Sequence, residues 1–412
     1  MSAAGMAAIS SFNALQIAQK KTVLSLAPIA LQHCQYSSDV PRIIKNPTTT
    51  SLKRGTGGRS SFNGIVCTVF GNTGFVGRYL CNRLGKIGTQ LILPYRGEHY
   101  NSMRLKLVGD LGQVLFHPFE LTDEDSIRKC IKYSNVVINL IGQDWETKNF
   151  KFDDVHVDGA RRLARLSKEA GVERFIHLSA LSCSPNPEPI LLPKGSQFFR
   201  SKWEGEQAVR EEFPEATIVR PATIYGQEDR WINVYCRFMR RHLKGTALWK
   251  KGEKTEKQPI WVGDVAGGIT TLVRDPSTAG KIYQFAGPQR YKLGDLVDWM
   301  NHWIRKNADD YGYRRLDIKN CPFFKLKVSI CEAISPGRPL GHLHWEGLEK
   351  EHTSDILVQD LPTLEDIGVY PCTMESRIAW ELRPYKLEAH YMETVGEFQD
   401  PDPPKPLSTN IA

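Results

Sequence analysis

Short apolar runs recur along the first half of the chain, and amphipathic stretches separate them. Five runs are rich in β-branched and aliphatic residues, as strands buried on both faces of a parallel sheet are. They are Gly64–Thr68, Gln90–Arg96, Gln113–Asp123 (a strand and its loop), Asn135–Gly142 and Arg174–Ser179. Helical periodicity over residues 155–171 separates the last two runs. We therefore predict an α/β fold, a Rossmann-type doubly wound parallel sheet with ligands at the carboxyl ends of its strands.

Three glycines mark the point where the first strand turns into a helical stretch. In such a turn one glycine permits the tight bend, one lets backbone N–H groups approach a phosphate, and one lets the helix pack closely. The spacing is G-x-x-G-x-x-G, and similar turns also join strands to helices without a ligand. The flanking elements must therefore decide whether this turn binds a nucleotide. The candidate nucleotide-binding residues of the turn are Gly71, Asn72, Thr73, Gly74, Phe75, Val76 and Gly77.

The second apolar run ends in Arg96. In dinucleotide folds this strand end meets the adenine ribose, where an acid binds the 2′-hydroxyl of NAD and an arginine pairs with the 2′-phosphate of NADP. Arg96 therefore indicates NADPH, although Glu98 lies near the position of the acid, and a solvated loop arginine is the alternative. The other candidate cofactor residues near strand ends are Leu121, Ile141, Gly142 and Ser179.

Two later motifs, together with the glycine turn, carry a resemblance to a known family. Arg220–Gly226 is similar to an R-P-x-x-I-Y-G strand, and Gln258–Ala266 resembles a P-x-x-V-x-D-V-A segment. Over about residues 64–290 the chain thus resembles the extended or atypical short-chain dehydrogenases/reductases. The resemblance implies cofactor contacts at Pro221 and Ile224.

The catalytic position of that family is altered here. In the family, a lysine four residues after a tyrosine lowers the pKa of the phenol, which then transfers a proton. Lys202 matches the lysine, whereas Phe198 stands at the tyrosine position, and no tyrosine lies between Tyr133 and Tyr225. The family's Ser/Thr falls at Ser179 or the next residue. We therefore predict a site that binds NADPH through Lys202 but has no catalytic residue, and hence a protein that is not an enzyme.

Several other stretches resemble, within that family, the nucleotide-binding accessory subunits of mitochondrial respiratory complex I. They include Leu93–Arg96, Gly109–Gln113, Asn139–Phe150 and Leu361–Gly368. This resemblance implies a peripheral subunit on the matrix side of the inner membrane. It also implies structural NADPH, complex I subunits as partners, and support of matrix-arm assembly near the quinone-reduction module. The alternative is a stand-alone NADP-dependent reductase or epimerase.

Composition and charge limit which other classes of protein and of binding partner fit the sequence. No apolar run in the 412 residues reaches about 18, so we predict no membrane-spanning helix. The net charge of +8 suits an acidic partner, but the chain has no long basic run and no nucleic-acid module, so we predict no nucleic-acid partner. Nine cysteines without a C-x-x-C pair indicate neither a disulfide framework nor a metal site.

Four segments are predicted along the chain. Residues 1–38 contain no acidic residue and resemble a mitochondrial transit peptide, with a secretory signal as the alternative. Residues 39–62 form an extended leader, residues 63–289 the NAD(P)-binding Rossmann domain, and residues 290–412 a smaller C-terminal α/β domain with a Pro-rich tail. Basic residues are mixed with aromatic and aliphatic residues over 296–335. This mixture favours contact with acidic lipid or a partner subunit, or else a helix covering this domain's own core.

Overall fold

The computed structural model describes residues 52–304, 313–334, 337–386 and 400–408. The predicted transit peptide and the first part of the predicted leader lie outside the described residues. None of the described helices is long and apolar enough to cross a membrane.

The described elements alternate between strands and helices through the first two thirds of the chain. The strands are β1 (Val66–Phe70), β2 (Gln90–Tyr95), β3 (Val114–Pro118), β4 (Val136–Asn139), β5 (Arg174–Leu178), β6 (Thr217–Pro221), β7 (Ile224–Tyr225), β8 (Arg241–His242), β9 (Gly245–Leu248), β10 (Glu256–Lys257), β11 (Ile260–Trp261), β12 (Ile282–Phe285), β13 (Tyr291–Lys292) and β14 (Arg314–Asp317). The helices are α1 (Phe75–Lys86), α2 (Glu124–Ile131), α3 (Gly159–Glu169), α4 (Gln197–Glu212), α5 (Ile232–Cys236), α6 (Val262–Arg274), α7 (Leu293–Trp303), α8 (Pro322–Ile334), α9 (Trp345–His352) and α10 (Glu375–Leu382).

Seven strands form one parallel sheet in the order β3-β2-β1-β4-β5-β6-β12. The predicted doubly wound sheet is confirmed, and all five predicted strands are present, the first starting two residues later than expected. The strand order reverses between β1 and β4, which places the carboxyl ends of these two strands side by side. In open α/β sheets a crevice for ligands forms at this point.

Side chains of the sheet alternate between two apolar layers. Val69 of β1 packs with Leu80 of α1 and Ile269 of α6, whereas the next residue, Phe70, packs with Leu163 of α3 on the opposite face. Both faces are therefore covered by helices, as a parallel sheet requires. The burial of both faces explains why these strands appear in the sequence as nearly continuous apolar runs.

The region after β7 builds a second set of elements around separate apolar clusters. β9 pairs with β14 and β8, and α8 covers this small sheet through Phe324 and Val328. Residues near 361–369 return to the main sheet, where Gln284 N–H donates to the carbonyl of Pro362 (2.9 Å) and Leu364 joins the main core. The predicted domain boundary at residue 290 stays a prediction.

Candidate functional site

A cavity of about 470 Å³ opens beside the carboxyl ends of the central strands. The glycine turn after β1 bounds it on one side, and α4 and α9 bound it on another. The predicted site residues that line it are Gly71, Thr73, Gly74, Phe75, Val76, Gly77, Gly142, Ser179, Lys202, Pro221 and Ile224. The fold therefore brings eleven of the fifteen predicted residues to one cavity, from segments spread over about 150 positions.

The backbone of the turn accounts for two of its glycines. Gly71 has a φ of +83°, and a Cβ atom there would lie 2.9 Å from the carbonyl carbon of Leu140. A Cβ atom at Gly77 would lie 2.4 Å from the carbonyl oxygen of Gly71. These close approaches bring the N-terminus of α1 to the cavity, and the first turn of α1 carries no acidic side chain. Unpaired N–H groups at such a helix start favour a phosphate.

Four predicted site residues do not line the cavity. The buried Asn72 amide donates to the carbonyls of Val69 (3.0 Å) and Pro94 (2.6 Å), so its side chain joins the turn to β2. Leu121 is buried, Ile141 donates its backbone N–H to Asn139 Oδ1 (3.0 Å), and Arg96 is exposed directly after β2. Contact of these four residues with a nucleotide stays a prediction.

Lys202 is a buried lysine whose ammonium reaches the ends of two strands. Its Nζ donates to the carbonyl of Leu178 at the end of β5 (3.2 Å), and a Cβ atom at Gly142 would lie 3.3 Å from that Nζ. Burial and the neighbouring ammonium of Lys350 lower the pKa of Lys202 to about 8, although the nearby carboxylate of Asp144 acts to raise it. Lys202 therefore titrates much closer to neutral pH than an exposed lysine does.

Phe198 occupies the start of α4, one turn before Lys202, and its ring is buried. The ammonium of Lys350 lies 4.0 Å from the centroid of this ring, and the His156 ring packs edge-on at 5.3 Å. Ser179 and Ala180 both line the cavity, whereas no tyrosine is among the described residues that do. At position 198 the cavity therefore offers a hydrocarbon face and a cation but no phenol.

A three-residue ion cluster also lines the cavity, and no sequence motif indicated it. Asp144 accepts from Lys350 Nζ (2.9 Å) and from Arg230 Nη1 (2.5 Å). Burial alone would raise the pKa of Asp144, but the two cations outweigh it and hold this pKa well below its usual range. The partners lie 86 and 206 positions from Asp144. No local pattern links them.

Two buried histidines beneath the cavity were also missed. His156 Nε2 accepts the backbone N–H of Gln143 (3.0 Å), and its Nδ1 meets Ser201 Oγ (2.8 Å), so it joins the segment after β4 to α4. Burial, reinforced by the Lys202 ammonium, lowers the pKa of His177 to about 3 and that of His156 well below its ordinary value. The lowered pKa values favour the neutral form of both rings beside the Lys202 ammonium.

The chain is similar to known proteins over most of its length. The model of the NAD dependent epimerase/dehydratase family matches residues 67–286. The mitochondrial NADH dehydrogenase (ubiquinone) 1 alpha subcomplex subunit 9 of Mus musculus is 42% identical over 361 residues, which cover 87% of this chain and 89% of that protein. This chain belongs to the subunit 9 family. The mitochondrial NADH-ubiquinone oxidoreductase 40 kDa subunit of Neurospora crassa is 34% identical over 84% of this chain and 86% of its own length.

Solved structures agree with the fold of this subunit 9 family member. DesIV, a dTDP-glucose 4,6-dehydratase from Streptomyces venezuelae solved with NAD and TYD, matches with a TM-score of 0.55 and 17% identity over 80% of this chain and 99% of its own. A mutant UDP-glucuronic acid 4-epimerase from Bacillus cereus matches with a TM-score of 0.50 and 14% identity, over 70% of this chain and 98% of its own. At these identities the likeness shows the fold alone. The family predicted from the sequence motifs is confirmed.

Proposed function

We propose that this chain is a non-catalytic accessory subunit of mitochondrial respiratory complex I that holds NADPH as a structural ligand. Membership of complex I is supported by relatives that are named as mitochondrial NADH dehydrogenase subunits and that match this chain over most of their length. The inference that the subunit is not catalytic rests on the Phe198 ring. This ring lies under the Lys350 ammonium, at the position that matches the catalytic tyrosine of the wider family. A phenyl ring neither donates nor accepts a proton in acid–base chemistry.

The turn after β1 suits the phosphates of a dinucleotide, since the close backbone packing at Gly71 and Gly77 brings the N-terminus of α1 to the cavity. In this proposal Lys202 holds the ribose next to the nicotinamide, and Arg96 pairs with the 2′-phosphate that distinguishes NADPH from NADH. A bound NADPH carries a transferable hydride, but position 198 has no group to move the accompanying proton. At 1,000 times its dissociation constant such a ligand stabilises the folded chain by about 4 kcal/mol. That contribution supports a role in the assembly and stability of the matrix arm near the quinone-reduction module.

The proposal also includes a peripheral position on the matrix side of the inner membrane, among other complex I subunits. One face of α8 supports contact with acidic lipid there, because it is apolar and exposed while the opposite face packs inward. The exposed residues are Phe323, Leu326, Ile330 and Ile334. Lys319 and Lys325 add positive charge to the same region, as interfacial helices commonly do.

Turnover of NADPH tests the proposal. The purified chain and its Phe198→Tyr variant are incubated with NADPH and a panel of carbonyl compounds, and the native chain is followed through sucrose-gradient sedimentation. We expect sedimentation with complex I and NADPH oxidation well below about 1 s⁻¹, the lower end of ordinary enzyme rates. A native chain that sediments freely and exceeds this rate on a defined substrate would contradict the proposal. Phe198→Tyr should leave the NADPH dissociation constant nearly unchanged, because the turn and Lys202 do the holding.

A stand-alone NADP-dependent reductase or epimerase is the second candidate. Two members of that family's catalytic set favour it, since Ser179 lines the cavity and the Lys202 ammonium has a pKa of about 8. A reductase would need another proton donor in place of the phenol. The same turnover assay separates the two candidates.

A further inference from the structure

One short helix, α9, contacts the cavity from the C-terminal part of the chain. Gly347, Lys350 and Glu351 of this helix line the cavity. The helix is only eight residues long, yet its side chains bind both segments that would touch the nicotinamide half of a dinucleotide. These two segments are the residues after β4 and the start of α4.

The first connection runs from Gly142 to α9 through two further residues. Gly142 lies beside the Lys202 ammonium, and two positions later the Asp144 carboxylate accepts from Lys350 Nζ (2.9 Å). The carbonyl of Asp144 also accepts from His344 Nε2 (2.9 Å), just before α9. Next along the chain, Trp145 Nε1 donates to the carbonyl of Gly337 (3.0 Å). The segment 142–145 thus lies beside Lys202 in the cavity at its first residue and contacts residues 337–350 through its last two residues.

The second connection joins α9 to the helix that carries Lys202. Glu346 Oε1 accepts from the backbone N–H of Phe198 (2.8 Å) and from Ser196 Oγ (2.5 Å), so α9 supplies an acceptor to the N-terminus of α4. One turn later the buried carboxylate of Glu349 accepts three consecutive backbone N–H groups. They belong to Ile190 (2.8 Å), Leu191 (2.6 Å) and Leu192 (3.0 Å). α9 is therefore fixed to the segment leading into α4 as well as to α4 itself.

We propose that nucleotide occupancy and the ordering of residues 337–352 are coupled through α9, with Asp144 and Lys350 as the connecting pair. The inference rests on the proposed function, since it requires a nucleotide that contacts Gly142 and Lys202. A ligand that restricts residues 142–145 and α4 reduces the motion of their partners in α9. Coupling between two equilibria is reciprocal, so whatever orders residues 337–352 also tightens NADPH binding by the same factor.

Hydrogen exchange followed by mass spectrometry tests this coupling in the full chain. Exchange is measured with and without saturating NADPH in the native chain, in Lys350→Met and in Lys129→Met, a matched control on the exposed side of α2. We expect NADPH to slow exchange over 337–352 about threefold or more in the native chain and in the control. In Lys350→Met the slowing should be clearly smaller, because the Asp144–Lys350 contact is lost while those of Glu346 and Glu349 remain. Asp144→Asn removes the other member of the pair and replaces Lys350→Met if that variant does not fold.

Three results would overturn the coupling, and they differ in what else they affect. Protection at 71–78 and 142 without protection over 337–352 leaves NADPH binding standing and removes the coupling. Protection over 337–352 that stays at the native level in both Lys350→Met and Asp144→Asn removes this pair as the connection. NADPH that changes exchange nowhere, with no heat of binding in calorimetry, overturns the coupling together with the proposed NADPH site.

Discussion

In a Gly77→Ala variant, a gain in helix propensity competes with a new steric contact between the added Cβ and the backbone of the turn. Gly77 lies in the first turn of α1, where alanine is the better helix former by about 1 kcal/mol. The new Cβ, however, would lie 2.4 Å from the carbonyl oxygen of Gly71 and 2.7 Å from the Cα of Asn72. Helix propensity alone therefore predicts a more stable protein, whereas the packing of the turn predicts a less stable one.

The contact outweighs the propensity because both atoms that the Cβ meets belong to the backbone. No side chain can rotate away, so the overpacking cost lies near the upper end of its usual range, about 3 kcal/mol. After the gain in helix propensity the net loss is about 2 kcal/mol. If the turn moves to relieve the contact, this loss appears as weaker NADPH binding, up to about 30-fold, and if the turn stays it appears as lower stability.

Urea unfolding and titration calorimetry with NADPH measure the two parts of this loss. We expect the fall in the free energy of unfolding and the fall in binding free energy to add up to about 2 kcal/mol. Gly58→Ala is the control, because its Cβ would meet nothing within 4 Å, and it should change stability by less than about 0.5 kcal/mol. A Gly77→Ala protein that gains stability and binds NADPH normally would refute this account of the turn.

Three further predictions concern the cofactor and the membrane. Arg96→Asp should weaken NADPH binding in calorimetry by about tenfold or more and NADH binding far less, and equal losses would show that Arg96 does not bind the 2′-phosphate. NADPH affinity should fall about tenfold from pH 7 to pH 9, because without NADPH the Lys202 side chain loses its charge as the pH rises through its pKa of about 8. A Lys202→Met variant that keeps this pH dependence would show that Lys202 is not the titrating group. Replacing both Phe323 and Ile330 by serine should reduce flotation with cardiolipin vesicles about threefold or more, whereas Leu111→Ser, also exposed, should not.

Local patterns were sufficient to predict the sheet and the turn. A run such as residues 136–139 is apolar throughout most of its length because both faces of its strand are covered, and this signal lies within the run itself. The tight turn after β1 followed from the glycine spacing, and the place of Lys202 on a helix followed from the family motif. Each of these features is encoded within about ten consecutive residues.

The ion cluster that lines the cavity was not predictable in this way. Asp144, Lys350 and Arg230 are ordinary charged residues in the sequence, and only the folded chain brings them within hydrogen-bonding distance. Asn72 shows the opposite case, since its place in the turn suggested a cofactor contact while its amide is taken up by backbone carbonyls of β1 and β2. Pairings across many positions depend on the topology, which a local pattern does not report.

The proposed function requires this chain to retain NADPH without consuming it. Liquid chromatography with mass spectrometry of the nucleotide released on denaturing the native protein, isolated from mitochondrial membranes under anaerobic conditions, tests this most directly. We expect close to one NADPH per chain, with the amount and the reduced state unchanged by prior incubation with candidate carbonyl substrates. Release of NADH or NAD⁺, of no dinucleotide, or of NADP⁺ formed in proportion to added substrate would contradict it.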